Sequence, residues 1–134
     1  MIEIQNLTKH YGEIKAIEDV SFTVNKGEIL GFLGPNGAGK STTMNILTGY
    51  IPSTSGVVKV DGLDVMEQPR EVKRKIGYLP EQPPLYVDMT VTDFLDFCAA
   101  LKEVDKVAWK GQRNDIMELV KITHVQHRLI RNLS

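Results

Sequence analysis

The chain has 134 residues, of which 42% are hydrophobic and 25% charged, as in a globular protein with one buried core. Sixteen basic residues against 17 acidic ones give a formal net charge of -1, which argues against a general nucleic-acid or acidic-membrane binder. No apolar run approaches the roughly 20 residues that cross a bilayer, and no secretory signal is recognisable. The single cysteine, Cys98, excludes an internal disulfide, so we expect a cytosolic setting.

Apolar residues at every second position predict strands in the first part of the chain. Ile2 and Ile4 alternate with polar residues, and so do the apolar residues of 20–24. Turn residues separate these segments, and we predict two antiparallel strands. Residues 28–33, continuously apolar after Glu28, predict a strand buried on both faces. Further along, an Asp61-Gly62 turn between β-branched residues predicts a short hairpin, and residues 76–79 predict another buried strand.

Helices are predicted over 40–48 and 70–75, and then throughout the last third of the chain. The prolines within 80–88 forbid regular structure and predict a stiff loop. Apolar residues at helical spacing follow Thr90, and Asp93 three residues later suggests that Thr90 caps this helix. A second helix is predicted after Asp105, and a shorter one through Leu129. The order of elements indicates an α/β core with a helical appendage.

One motif carries chemistry, a glycine-rich loop between the predicted strand 28–33 and the helix that follows. It fits the phosphate-binding P-loop pattern. Glycines let the main chain curl so that backbone N–H groups point into one concavity and bind phosphate oxygens. We expect Lys40 to reach the β- and γ-phosphates and the Ser41 hydroxyl to complete a Mg²⁺ shell. The nucleotide-binding residues predicted from the motif are Gly34, Pro35, Asn36, Gly37, Ala38, Gly39, Lys40, Ser41 and Thr42.

A family resemblance then becomes specific. The P-loop sequence GPNGAGKSTTMNILTGYIPSTSG, with IGYLPEQPPLYVDMTV and RNLS after it, resembles the ATP-binding subunit of an ABC transporter. The stretch LPEQPPLY followed by DMTV is similar to the ATPases of ABC-2 exporters. The resemblance implies a P-loop NTPase core with an N-terminal antiparallel β subdomain and a helical subdomain. We place these parts at residues 1–84 and 85–134.

The resemblance also implies roles for three residues outside the P-loop. Tyr11 resembles the aromatic residue that stacks on adenine, although from the residues alone an exposed tyrosine in a tight turn is the simpler interpretation. Glu81 falls where the family has a glutamine that approaches the metal or the attacking water, and Gln82 stands one residue later. The sequence leaves open which of the two takes that role, or whether both are a solvated polar pair in a proline loop.

Leu133 and Ser134 match the start of the family's signature motif. The later family motifs, with the aspartate and glutamate that bind metal and activate water, are absent from this sequence. We therefore expect a truncated domain that lacks the C-terminal part of the core sheet and that by itself binds Mg-ATP weakly and hydrolyses it negligibly.

In the intact protein, the resemblance implies ATP and Mg²⁺ as cofactors, a homodimer of the ATP-binding domain, and a transmembrane permease that holds this domain on the cytoplasmic face of the inner membrane. The region from Tyr86 to Phe97 is the candidate docking site for that permease, with packing inside the helical subdomain as the alternative. Two other function classes stay open: a soluble ABC-type ATPase acting on ribosomes or DNA, and a P-loop small-molecule kinase.

Overall fold

The computed structural model describes residues 1–133, so the Ser134 half of the predicted signature start lies outside the described residues. The chain divides into two compact units, Met1–Tyr78 and a second unit that begins at Leu79. The division of functional subdomains at residues 84 and 85 stays a prediction. Within the described part of the chain, no helix is long and apolar enough to cross a membrane.

The first unit is built on a four-stranded antiparallel sheet with the order β2-β1-β3-β4. Its strands are β1 (Ile2–Tyr11), β2 (Ile14–Val24), β3 (Ser55–Val60) and β4 (Leu63–Asp64). The predicted antiparallel pair is confirmed, because β1 pairs with β2 from Ile2↔Val24 to Tyr11↔Ile14. The predicted hairpin is also present, with Asp61 and Gly62 at φ 49° and 78°, as a two-residue turn between right-twisted strands requires.

Two helices accompany this sheet, α1 (Lys40–Leu47) and α2 (Pro69–Lys75), close to the predicted ranges. The core lies where β1 and β3 meet the helices, and its buried members form one cluster. That cluster consists of Ile4, Leu7, Ile17, Ile46, Val58, Val60, Val65 and Val72. Packing of this cluster stabilises the sheet and fixes the position of α1, whose N-terminal end follows the glycine-rich loop.

The second unit contains α3 (Val91–Leu101) and α4 (Lys106–Leu119), followed by 3₁₀ turns at Thr123–Val125 and Ile130–Asn132. Thr90 caps α3, as predicted, because its side-chain oxygen accepts a hydrogen bond from the Asp93 N–H. Asp105 caps α4 by accepting from the N–H groups of Val107 and Ala108. In place of the predicted helix through Leu129, the chain forms the first of the two 3₁₀ turns.

Two predictions of buried strands are wrong. Residues 28–33 and 76–79 form no strand, and Ile29, Leu33 and Leu79 are 98%, 91% and 80% exposed. A strand exists only where another strand supplies its hydrogen-bond ladder, and the described sheet is entirely antiparallel and does not include either segment. Both segments have the apolar composition of buried strands, but apolar composition alone does not provide a neighbouring strand to pair with.

Candidate nucleotide-binding site

The glycine-rich loop leads into α1 and is exposed from Gly34 to Ala38. The Ala38 N–H donates to the Pro35 carbonyl over 3.2 Å, which closes the turn. Gly37 and Gly39 have φ angles of 83° and 82°, a left-handed conformation that side chains disfavour. The loop therefore curls back on itself in the way the motif predicts, with its backbone open to solvent.

Gly39 is required for a second reason. A Cβ atom added there would collide with the Ala16 carbonyl oxygen and lie 3.0 Å from Cγ1 of Ile17. The start of α1 thus lies directly against β2, closer than any other residue type allows. A Cβ atom added at Gly37 would have no atom within 4 Å, so only the backbone conformation favours glycine there.

The Lys40 ammonium lies over the loop. Its Nζ donates to the carbonyl oxygens of Gly34 and Pro35, each at 2.7 Å. An ammonium group carries three donors, so Lys40 can exchange these carbonyls for phosphate oxygens without leaving the loop. This geometry concentrates positive charge at the place where the motif predicts the β- and γ-phosphates.

The first turn of α1 adds donors and hydroxyl groups. Gly39 is the N-cap and provides no side-chain cap, so the first N–H groups of the helix stay available for an anion. Ser41 is exposed and Thr42 half-buried, which fits hydroxyls that face a bound nucleotide and its Mg²⁺. Thr43, which the sequence analysis did not single out, is buried and its Oγ1 donates to the Gly39 carbonyl over 2.9 Å.

Tyr11 lies at the end of β1 in the same unit as the P-loop. It pairs with Ile14, two residues before Ala16, the residue that meets Gly39. Its side chain is 49% exposed, and Lys9 Nζ lies over the ring, 5.0 Å from its centroid. The ring is accessible for stacking on a base, and Lys9 is a neighbour that sequence reasoning missed, since no motif marks it.

Glu81 and Gln82 occupy an exposed bend in the proline loop and belong to the second unit. Their approach to a metal stays a prediction. Among the described side chains, no group of three or more His, Cys, Asp or Glu could hold a metal ion. Ser41 at the start of α1 fits the alternative arrangement, in which one protein hydroxyl joins phosphate oxygens and water around Mg²⁺.

Comparison with known proteins decides the family. The family model for the ABC transporter matches residues 17–134. The chain belongs to the ABC transporter family. Over 134 residues it is 37% identical to an uncharacterised ABC transporter ATP-binding protein, YxlF, of Bacillus subtilis, covering 100% of this chain and 44% of the relative. It is 34% identical to the bacitracin transport ATP-binding protein BcrA of Bacillus licheniformis, again over 100% of this chain and 43% of the relative.

A third relative is the lipopolysaccharide export system ATP-binding protein LptB of Escherichia coli, 38% identical over 92% of this chain and 51% of the relative. A solved structure titled as the ATP-binding subunit of an ABC transporter superposes with a TM-score of 0.90 at 25% identity, covering 100% of this chain and 56% of that one. These neighbours confirm the predicted fold class, a partial α/β fold of the ABC ATPase domain. The chain spans about half the length of the curated relatives it matches.

Proposed function

We propose that this chain supplies the nucleotide-binding part of an ATPase that drives a substrate across a membrane through a partner permease. The observation that carries the proposal is the P-loop geometry, in which the Lys40 ammonium lies over the loop and Gly39 meets β2 where no side chain fits. Membership of the ABC transporter family supports it. The relatives are named for different cargoes, bacitracin and lipopolysaccharide, and we therefore assign none.

Each group of the loop has a defined part in this proposal. Backbone N–H groups of the loop and the N-terminal end of α1 bind phosphate oxygens, and Lys40 neutralises charge on the terminal phosphates. The Ser41 hydroxyl binds Mg²⁺, which when bound neutralises charge that develops on the transferred phosphoryl group. Tyr11 stacks on adenine. Glu81 or Gln82 orients the attacking water or contacts the metal.

The proposed assembly is a homodimer of the ATP-binding domain bound to the permease on the cytoplasmic face of the membrane. By itself, the chain is proposed to bind Mg-ATP weakly and to hydrolyse it negligibly, because phosphoryl transfer also needs groups that position water and metal. The functional subdomains are proposed to be residues 1–84 and 85–134.

Hydrolysis by the protein at its full native length tests the proposal. Mg²⁺-dependent release of phosphate from ATP is expected from the wild type. Replacing Ser41 by Ala is expected to lower the turnover at least about tenfold, because a metal ligand is lost. Ser53→Ala is the matched control, since this half-buried serine lies outside the loop. Wild-type protein without ATPase activity, or a Ser41→Ala variant as active as the control, would contradict the assignment.

Crosslinking tests the permease separately. Tyr86 is 54% exposed and stacks edge-on against Phe97, with the ring centroids 5.2 Å apart, so the docking segment has a fixed apolar surface. A photo-crosslinker in place of Tyr86 is expected to capture the permease. The same group in place of Tyr50, which is 80% exposed in the first unit, is the control. Equal capture from both positions, or none from Tyr86 during transport, would exclude this docking site.

A further inference from the structure

The lysine two residues before the adenine-stacking candidate makes two contacts that the motif does not explain. Lys9 Nζ lies 5.0 Å from the centroid of the Tyr11 ring and donates to the Pro52 carbonyl over 2.8 Å. A cation over an aromatic face is attracted by the ring's negative charge density. The hydrogen bond to Pro52 holds the ammonium in place, so Tyr11 rests against a fixed cation on one of its faces.

Pro52 lies in the segment after α1, so the hydrogen bond to its carbonyl links Lys9 to that helix. The N–H groups of Tyr50 and Ile51 donate to the Asn45 carbonyl of α1 at 2.7 and 3.3 Å, which ties the segment before Pro52 to the helix. Lys9 itself pairs across the sheet with Ile17, the residue whose side chain meets the start of α1 at Gly39. Lys9 therefore connects the Tyr11 ring to the helix that carries the phosphate-binding loop.

We propose that Lys9 is a positioning residue for the nucleotide base: it covers one face of Tyr11, sets the orientation of the ring relative to α1, and leaves the opposite face to stack on adenine. The inference rests on the proposed function, since it refines the nucleotide site of the same unit. Lys9 does not touch the nucleotide, and it acts by restricting Tyr11, so that less freedom is lost when the base binds.

Holding the sheet to the neighbouring segment is a competing, purely structural role. Two other bonds already serve that purpose, because the Thr54 N–H donates to the Thr8 carbonyl and the His10 N–H to the Thr54 hydroxyl, both at 2.9 Å. Removing the Lys9 ammonium leaves these bonds intact. We therefore expect Lys9 variants to fold, and expect their defect to concern the base and not the phosphates.

The test is isothermal titration of the protein at its full native length with Mg-ATP and with inorganic triphosphate, which has the phosphates but no base. Lys9→Met is expected to bind Mg-ATP about threefold to tenfold more weakly, as the loss of a cation–π contact implies. Its affinity for triphosphate is expected to stay at the wild-type value. Lys9→Arg, which keeps a cation over the ring, is expected to restore Mg-ATP binding.

Two further variants make the result specific. Lys59→Met removes another half-buried lysine of the same sheet and is expected to change neither affinity. In a Tyr11→Leu background, Lys9→Met is expected to cause no further loss, because both changes act through one ring. Lys9→Gln is a second neutral variant with the same expected result, should Lys9→Met prove unstable.

Equal weakening of Mg-ATP and triphosphate binding by Lys9→Met, or no weakening of either, would overturn the positioning role while leaving the proposed function intact. A loss in Lys9→Met that adds fully to the loss in Tyr11→Leu would overturn it as well. A wild-type protein that binds neither ligand would contradict the proposed function, and the inference would fall with it.

Discussion

The two units keep their structures by different means. In the first, Leu7 and Ile46 are completely buried in a continuous aliphatic cluster. In the second, the buried apolar residues of the described chain are fewer, namely Val91, Ala99 and Met117. Its helices depend more on polar contacts, such as the ion pair in which Arg113 Nη1 donates to both Asp96 oxygens at 2.8 and 2.7 Å.

This difference corresponds to the functions proposed for the two units. A phosphate-binding loop must be held in one geometry, and a packed sheet beneath α1 provides that rigidity. A segment that docks a partner needs exposed apolar side chains, and Leu85, Tyr86 and Val87 are about half exposed. The second unit therefore contributes less apolar burial than the first.

The largest effect is expected from removing core volume in the first unit. Leu7→Ala is expected to lower the free energy of unfolding by about 3 to 5 kcal/mol, because the close-packed cluster around it cannot collapse into the cavity. Met117→Ala in the second unit is expected to cost about 2 to 3 kcal/mol, since Met117, although fully buried, lies in a unit with few buried apolar residues, which relaxes more readily around the cavity. Urea unfolding followed by circular dichroism measures both. Equal losses, or a larger one for Met117→Ala, would remove the distinction between the two cores.

The packing of the first unit extends to the P-loop, and glycine substitutions test this. Gly39→Ala is expected to destabilise by at least about 2 kcal/mol, because the left-handed conformation of an L-residue costs about 1 to 2 kcal/mol and its Cβ would also strike β2. Gly37→Ala shares only the conformational cost, since its Cβ would meet no atom. If the two variants unfold at the same denaturant concentration, the close contact between α1 and β2 is refuted.

A smaller effect is expected from the polar contacts of the second unit. Burial raises the pKa of Asp96, but hydrogen bonds from Trp109 and Arg113 and the charge of Arg113 outweigh it and hold the pKa below the usual 3.8. The stabilisation is therefore present at neutral pH and lost as the pH falls through the lowered pKa. Asp96→Asn is expected to destabilise by about 1 kcal/mol at pH 7, because Arg113 keeps an amide oxygen as acceptor but loses the negative charge of its partner, and the 45% exposure of the Asp96 side chain leaves the pair partly screened by water.

Trp109 reports this contact directly, because it is the chain's single tryptophan and its Nε1 donates to Asp96 Oδ1 over 2.7 Å. Urea unfolding followed by its fluorescence is expected to show a difference between wild type and Asp96→Asn that is full at pH 7 and shrinks below about pH 4. A difference that does not depend on pH would show that the carboxylate charge is not what stabilises α3 against α4.

Local features of the fold could be predicted from the sequence, whereas features that need a distant partner could not. The Asp61-Gly62 turn, the Thr90 cap and the start of a helix after Asp105 were predicted from a few adjacent residues, and all three are present. Residues 28–33 have the composition of a buried strand, yet a strand also needs a neighbour, and pairing is not encoded within six residues.

The residues of the candidate site show the same difference between local and distant features. The P-loop from Gly34 to Ser41 was recognisable because its chemistry depends on spacing along the chain. Lys9 and Thr43 were not, since a lysine in a strand and a threonine in a helix are ordinary until the fold brings one over Tyr11 and the other against the Gly39 carbonyl. The fold does not distinguish Glu81 from Gln82 as the residue in the role of the family's glutamine, because both are exposed in the proline loop.

The central claim is that Lys40 and the loop beneath it bind the phosphates of ATP. Isothermal titration of the protein at its full native length with Mg-ATP, comparing the wild type with Lys40→Ala, tests it most directly. We predict that the wild type binds Mg-ATP and that the dissociation constant is raised about tenfold to a hundredfold in Lys40→Ala. This increase corresponds to the loss of one or more charge-assisted hydrogen bonds. Lys26→Ala, an exposed lysine in the turn after β2, should bind as the wild type does. Equal affinity for Mg-ATP in the wild type and Lys40→Ala would contradict the account.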